Sequence, residues 1–347
     1  MTRSFRTTIA PVRIRPLLLI ACLTVSPTLA AEPPQQVWEF RDGNWSTAVA
    51  ADAQPASDDT LDAVDALLSR GQHREARKLA LKWEKANRAS PIRDRVLYQI
   101  AQAYFQYGDR HRSFFHLDEL MDTYPQSRFF YPALELQYRI ADEYLNGYKQ
   151  RVFKTPAVRV TGEAIEMMYR IQQRSPGSPL AEKALLRTAD FYFADANYEL
   201  ASDTYAAYAR AYPRSPAVPR VRLRGAYSSL AQFRGLRYDA TPLVDARTQF
   251  QTIVADYPDL AAEENLPDVL ARIETTFARK GNVTGDFYRR TNAPNGAAYH
   301  YQHVATNFPG SPEATDATKA LSALPEAARA AVSPATRPVD VPVGGLR

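Results

Sequence analysis

The sequence predicts an all-α fold, an α-solenoid of about six helical hairpins with loop insertions, on three observations. The first is a repeated closure: Pro125, Pro176, Pro213, Pro258 and Pro309 each follow a similar helical segment. The second is what precedes each proline. Twelve residues upstream stands a small residue (Ser113, Ala164, Ala201, Ala246, Ala297). Eight upstream stands a bulky apolar one (Leu117, Met168, Tyr205, Phe250, Tyr301), and five upstream another (Leu120, Ile171, Tyr208, Ile253, Val304). Offsets that differ by four and three fall on one helical face, and the proline ends the helix. The third is composition: 45% of the 347 residues are hydrophobic, with 20 Tyr and 15 Phe, which excludes a disordered chain.

The chain opens with an acid-free leader, residues 1–30, carrying Arg3, Arg6, Arg13 and Arg15 ahead of the apolar run Pro16 to Val25. Basic start, short apolar stretch and the small Ala30 make the three-part pattern of a signal peptide, and the run is too short to span a bilayer. Two processing outcomes are open. Cleavage after Ala30 releases a soluble protein and is favoured by the short apolar region. The alternative reads Leu19-Ile20-Ala21-Cys22 as a lipobox, with Cys22 acylated. Either way the protein is expected to leave the cytoplasm. Without the leader, 39 basic residues face 38 acidic ones, so the basic balance of the whole chain is no argument for a nucleic-acid partner.

Residues 31–59 form a linker, in which Asp42-Gly43 between two aromatic-bearing runs reads as a small hairpin or as an unstructured segment. The array occupies residues 60–323. Each closing helix has a partner before it: IRDRVLYQIAQAYFQYGDR places Leu97, Ile100, Ala101 and Tyr104 on one face, and the segment after Pro176 does so with Leu185, Ala189 and Tyr192. An earlier pair turns at Gly71, with Ala76 as its small residue. Three hairpins carry insertions, at 147–162, at 233–242 and in the lengthened first half of the sixth, which holds Pro267 and Gly281. Such insertions either build a binding face or are tolerated surface length. Glu263-Glu264 reads as a helix start, where acids suit the dipole. A helix from Glu313 to Ala323 caps the array, and residues 324–347, rich in proline, read as a flexible tail.

Helical hairpins of about 34 residues resemble the tetratricopeptide repeat (TPR), a protein-binding module that stacks into a superhelix. The resemblance implies that first helices line a concave groove. Extrapolated from the buried faces, Arg95, Tyr98, Gln102 and Phe105 point into it, as do Tyr138 and Asp142, then Lys183, Leu186 and Asp190. This mixture suits an extended peptide. The alternative is that Tyr98 and Tyr138 pack between neighbouring hairpins.

No sequence motif for catalysis is present: neither the phosphate-binding glycine loops nor the zinc and serine-nucleophile signatures occur. His300 and His303 share a helix without a further ligand at metal spacing and read as solvated surface. No cofactor, no metal and no enzymatic activity are expected.

The Tyr-Pro-x-Ser closures of this exported array resemble BamD, the lipoprotein of the outer-membrane β-barrel assembly machinery, over about residues 60–322. The segment 286–314 carries the likeness best: Phe287-Tyr288 with Arg289-Arg290, then Ala297-Ala298, then Phe308-Pro309-Gly310-Ser311. The resemblance implies a place in the periplasm or on the periplasmic face of the outer membrane. It also implies binding of other envelope proteins, namely a β-barrel assembly subunit and unfolded barrel precursors, with membrane contact only through a lipid or a partner. A second resemblance is to the cell-division coordinator of the Tol–Pal system. That family pairs about three repeats with an N-terminal coiled coil, and residues 31–59 hold no heptads.

Overall fold

The computed structural model describes residues 38–41, 44–47, 58–148, 151–152, 155–156 and 161–332. The leader with Cys22 and the tail beyond 332 lie outside the described residues. The chain divides into two compact units, residues 1–51 and 52–347. In the first, β1 (Trp38–Arg41) pairs antiparallel with β2 (Asn44–Thr47), Trp38 opposite Thr47 and Arg41 opposite Asn44.

The second unit is the array, an all-α TPR solenoid. Its hairpins are α1 (Asp59–Ser69) with α2 (His73–Ala86), α3 (Arg93–Tyr107) with α4 (Arg110–Thr123), and α5 (Phe130–Leu145) with α6 (Thr161–Arg174). Then come α7 (Pro179–Ala194) with α8 (Tyr198–Ala211), and α9 (Val218–Ala231) with α10 (Thr241–Asp256). In the sixth, the short α11 (Pro258–Glu263) leads into α12 (Leu266–Arg290), which pairs with α13 (Pro294–Asn307). Helices α14 (Pro312–Ser322) and α15 (Glu326–Ala330) finish it, and a two-residue ladder, β3 (Arg151–Val152) with β4 (Thr155–Pro156), lies in the third-hairpin insertion. Each helix packs on the next in chain order from α1 to α10, then α10 on α12.

The proline register maps directly onto the core. All fifteen residues at its three offsets, from Ser113 to Val304, are at most 1% exposed. The residue before each proline closes its helix, since a residue preceding proline is driven out of the helical region. Tyr124, Ser175, Tyr212, Tyr257 and Phe308 each donate their backbone N–H to the carbonyl at the third offset: Leu120, Ile171, Tyr208, Ile253 and Val304, at 2.8–3.1 Å. The serine of Tyr-Pro-x-Ser then serves the next helix. Ser178 Oγ accepts from Ala181 N and Ser311 Oγ from Ala314 N, both at 3.0 Å, while Ser127 and Ser215 accept from amides two residues on. Ser178 and Ser311 are thus N-caps of α7 and α14, each stabilising by about 1 kcal/mol, whereas Ser127 and Ser215 brace the turn ahead of α5 and α9. Gly108 ends α3 in the left-handed region at φ 94°, where glycine has no steric cost.

Three expectations are corrected. Glu263-Glu264 ends α11 rather than starting a helix. The break comes at Asn265, held left-handed at φ 49° with its amide on Asp268 at 2.6 Å, and Pro267 opens α12. Gly281 is no loop residue but lies inside the 25-residue α12. The array also runs past 323: Leu324 and Ala328 are buried in one cluster with Ala297, Tyr301 and Val304. The 233–242 insertion is tied down as well, with the Lys280 ammonium donating to the carbonyls of Leu236 and Tyr238.

The glycines of α12 exist for close approach. A Cβ on Gly285 would meet the fully buried ring of Tyr301 at 2.6 Å, and one on Gly281 would run into Val304. Gly285→Ala is therefore expected to lower stability by about 1–3 kcal/mol. Gly162→Ala, at an open helical position with nothing within 4 Å, should raise it by up to about 1 kcal/mol. Thermal unfolding of the two variants checks this. Equal melting temperatures would refute the packing of α13 on α12.

Candidate functional site

First helices touch first helices along the array: α1 with α3, α5 with α7, and α12 with α14. The nine sequence-predicted groove residues all lie on α3, α5 and α7 and mix charged, aromatic, amide and aliphatic side chains.

The structure divides them by what they already hold. Arg95 is committed: it reaches back to α1 and donates to Asp62 at 2.5 Å and Asp65 at 2.6 Å, with only 13% of its side chain exposed. Burial opposes its charge, but the Asp65 and Asp62 carboxylates outweigh that and hold its pKa above the ordinary arginine value. Beside it, Gln99 donates to Leu61 O at 2.9 Å and Asp65 at 2.7 Å. Arg95 is thus a tie between two hairpins. Asp142 and Asp190 are ties too. Asp142 accepts from Arg187 Nε at 2.5 Å, and Asp190 from Tyr205 Oη at 2.7 Å and from Arg224. Each bond joins a first helix to its successor or to its own partner.

Tyr98 follows the packing alternative, stacked on Phe129 with centroids 5.4 Å apart. Burial raises its phenol pKa, and a hydrogen bond to Gln102 works against that rise. Leu186 is half-buried against the core of the fourth hairpin. Three of the nine make cation–aromatic contacts. Phe105 lies beneath the guanidinium of Arg110 at 3.9 Å and that of Arg139 at 5.5 Å. Exposed Lys183 sits 4.7 Å over the ring of Tyr138, whose hydroxyl burial pushes up to about 12, so it stays a neutral donor. Cation–aromatic contacts of this kind contribute about 0.5–1 kcal/mol at exposed sites.

Sequence reasoning missed Arg139, Arg187 and Arg224. Arg139 is exposed on α5 facing Phe105; the other two were legible only as charges opposite to Asp142 and Asp190 one hairpin further on. The histidine pair of α13 has its own neighbours: His300 stacks on Tyr288 at 5.4 Å and His303 Nδ1 pairs with Asn307. Burial holds both imidazoles below their ordinary pKa. Among the described residues no group of three or more His, Cys, Asp or Glu is placed to hold a metal, and no helix is long and apolar enough to cross a membrane.

Stacked helical hairpins joined by polar ties, with aromatic and cationic side chains along the first helices, define a TPR array with a protein-binding face. The tetratricopeptide repeat model matches residues 95–127, the second hairpin. The model of the outer membrane lipoprotein family YfiO matches residues 148–335, more than half of the chain, and the chain belongs to that family. Among solved structures, a tetratricopeptide repeat protein from Parabacteroides merdae is 11% identical, with 76% of this chain and 97% of that one covered at a TM-score of 0.34. PilF of Pseudomonas aeruginosa is 12% identical, covering 75% and 95%, TM-score 0.29. The type IV pilus biogenesis factor PilW is 15% identical, covering 76% and 100%, TM-score 0.28. No curated protein matches.

If Arg95 is a tie, its pairing with Asp65 is measurable. A double-mutant cycle of Arg95→Ala and Asp65→Ala, followed by urea unfolding, should give a coupling of about 0.5–1 kcal/mol. Additive losses would mean that the α1–α3 seam rests on packing alone.

Proposed function

We propose that this chain is an exported scaffold of the BamD type, which binds envelope proteins during outer-membrane β-barrel assembly. The observation that carries the reading is the match of the outer membrane lipoprotein family over residues 148–335. That description also supports acylation of Cys22 over cleavage after Ala30. Mass spectrometry of the exported protein decides between a lipid-modified Cys22 and an N-terminus at Ala31.

The ligand we propose is an extended segment of an unfolded barrel precursor, laid along α3, α5 and α7. A terminal strand rich in aromatics offers rings to Phe105 and Tyr138, and its free carboxylate offers a partner to Lys183 and Arg139. Arg95, Asp142 and Asp190 act one step back, by fixing the helices that present this face. The role is one of holding and presenting a chain, and no bond is made or broken.

Two measurements test this. A labelled C-terminal barrel peptide should bind saturably, and Tyr138→Ala with Lys183→Ala should weaken it by about 2 kcal/mol while leaving the circular dichroism spectrum unchanged. Co-purification from membranes should bring down a β-barrel assembly subunit. Absence of saturable peptide binding, or equal affinity of the double variant, would rule out the peptide face. Absence of the subunit would rule out the pathway.

A further inference from the structure

The second helix of the first hairpin carries a charge pattern that neither the fold nor the candidate face uses. Between residues 70 and 88 stand seven cations, Arg70, Arg74, Arg77, Lys78, Lys82, Lys85 and Arg88, against Glu75 and Glu84. Glu84 is occupied by Arg93 at 2.9 Å. Ala76, Ala80 and Trp83 face the core, whereas Arg74, Lys78, Lys82 and Lys85 are exposed. These four are spaced four, four and three residues apart, so they form one stripe along a helix about 21 Å long. Among the described residues no carboxylate pairs with any of them. At its head, Arg74 and Arg77 lie 5.5 and 4.6 Å from the exposed ring of Tyr107.

Like charges at four-residue spacing destabilise a helix. The stripe therefore costs stability unless a polyanion meets it. We infer that this face of α2 docks onto the anionic headgroups of a phospholipid surface.

Two observations select that occupant. No large apolar side chain of α2 is exposed, and the one exposed ring beside the stripe, Tyr107, lies at its head under Arg74 and Arg77. Lys78, Lys82 and Lys85 therefore have no apolar anchor of the kind a specific protein interface depends on, while a diffuse sheet of phosphates needs none. The stripe also belongs to the first hairpin, the one nearest in the chain to the leader and Cys22. A single lipid chain holds a protein only marginally, and a polybasic patch is the usual second contact. Each cation near such a surface adds to the attraction, and salt screens it. The inference does not depend on the β-barrel role.

The test is vesicle flotation of the chain from Ala31 onward. This form lacks both leader and Cys22 and keeps the whole compact unit of residues 52–347. Phosphatidylcholine vesicles are compared with vesicles in which about one third of the lipid is phosphatidylglycerol. Binding is expected on the anionic vesicles only, to fade as salt is raised toward about 0.5 M, and to fall at least about tenfold in Arg74→Glu/Lys78→Glu/Lys85→Glu. Arg210→Glu/Arg214→Glu/Lys319→Glu makes the same charge change at other exposed cations and should keep binding. If the first variant does not fold, Gln at the same three positions replaces Glu with the same expected direction. Equal flotation on the two vesicle types, wild-type binding by the α2 variant, or an equal loss in the charge-matched control would overturn the inference. So would salt-sensitive binding of polyglutamate without any of vesicles, which would point to an acidic protein instead.

Discussion

Each closing helix sits against its partner through a residue too small to hold the two apart. Ser113, Ala164, Ala201, Ala246 and Ala297 are fully buried, and α12 adds Gly281 and Gly285 against α13. At that separation the larger residues on either side, such as Tyr205 and Tyr208 or Phe250 and Ile253, are buried between the helices. Polar atoms at the seam then have to find partners within the protein. Ser113 donates to Ala101 O at 2.8 Å, Tyr205 and Tyr301 donate to Asp190 and Asp286 at 2.7 Å, and burial keeps the Tyr301 phenol near 12, a donor at any physiological pH. Close approach thus dictates both the packing and the polar network.

Hairpin-to-hairpin contacts obey a different rule. Inside a hairpin the interactions are mainly apolar, whereas much of the join between hairpins is charged. Arg95, Arg187 and Arg224 reach back to acids on the preceding first helix, and Arg170 and Arg174 reach from α6 to Asp118 on α4. The ties of Arg95, Arg187 and Arg224 run through first helices, the elements that also carry Phe105, Tyr138 and Lys183. Under the proposed role, positioning and binding share one surface. A charge is free there only where no neighbouring repeat needs it.

That sharing explains what the sequence could and could not disclose. The core was legible because proline, small residue and two bulky residues recur at fixed offsets, and burial follows those offsets at every copy. Tyr-Pro-x-Ser was legible as punctuation, since its effects reach only a few residues. Glu263-Glu264 misled because two acids suit a helix start, while the left-handed Asn265 that ends α11 has no strong local signal. The continuation of α12 through Gly281 was hidden for a related reason: glycine reads as a breaker, and only contact with Val304 reveals that it is there for closeness. The groove residues were placed on the right helices by periodicity. Their bonds, from Arg95 to Asp62 and Asp65 or from Asp190 to Arg224, depend on partners 30 to 34 residues away, which no local pattern encodes.

The lysine tie on the fifth-hairpin loop bears on how far this solenoid can be divided. Repeat arrays are usually treated as beads that can be added or removed one at a time. Here Lys280 of the sixth hairpin holds the carbonyls of Leu236 and Tyr238 in the fifth, and Leu266, Val269 and Ile273 complete a core begun by Leu223 and Phe250. Cutting the chain at Pro258 would leave that loop without its cation and that core open on one side. The fifth and sixth hairpins thus share one core and one loop tie, so neither can be removed without exposing the other.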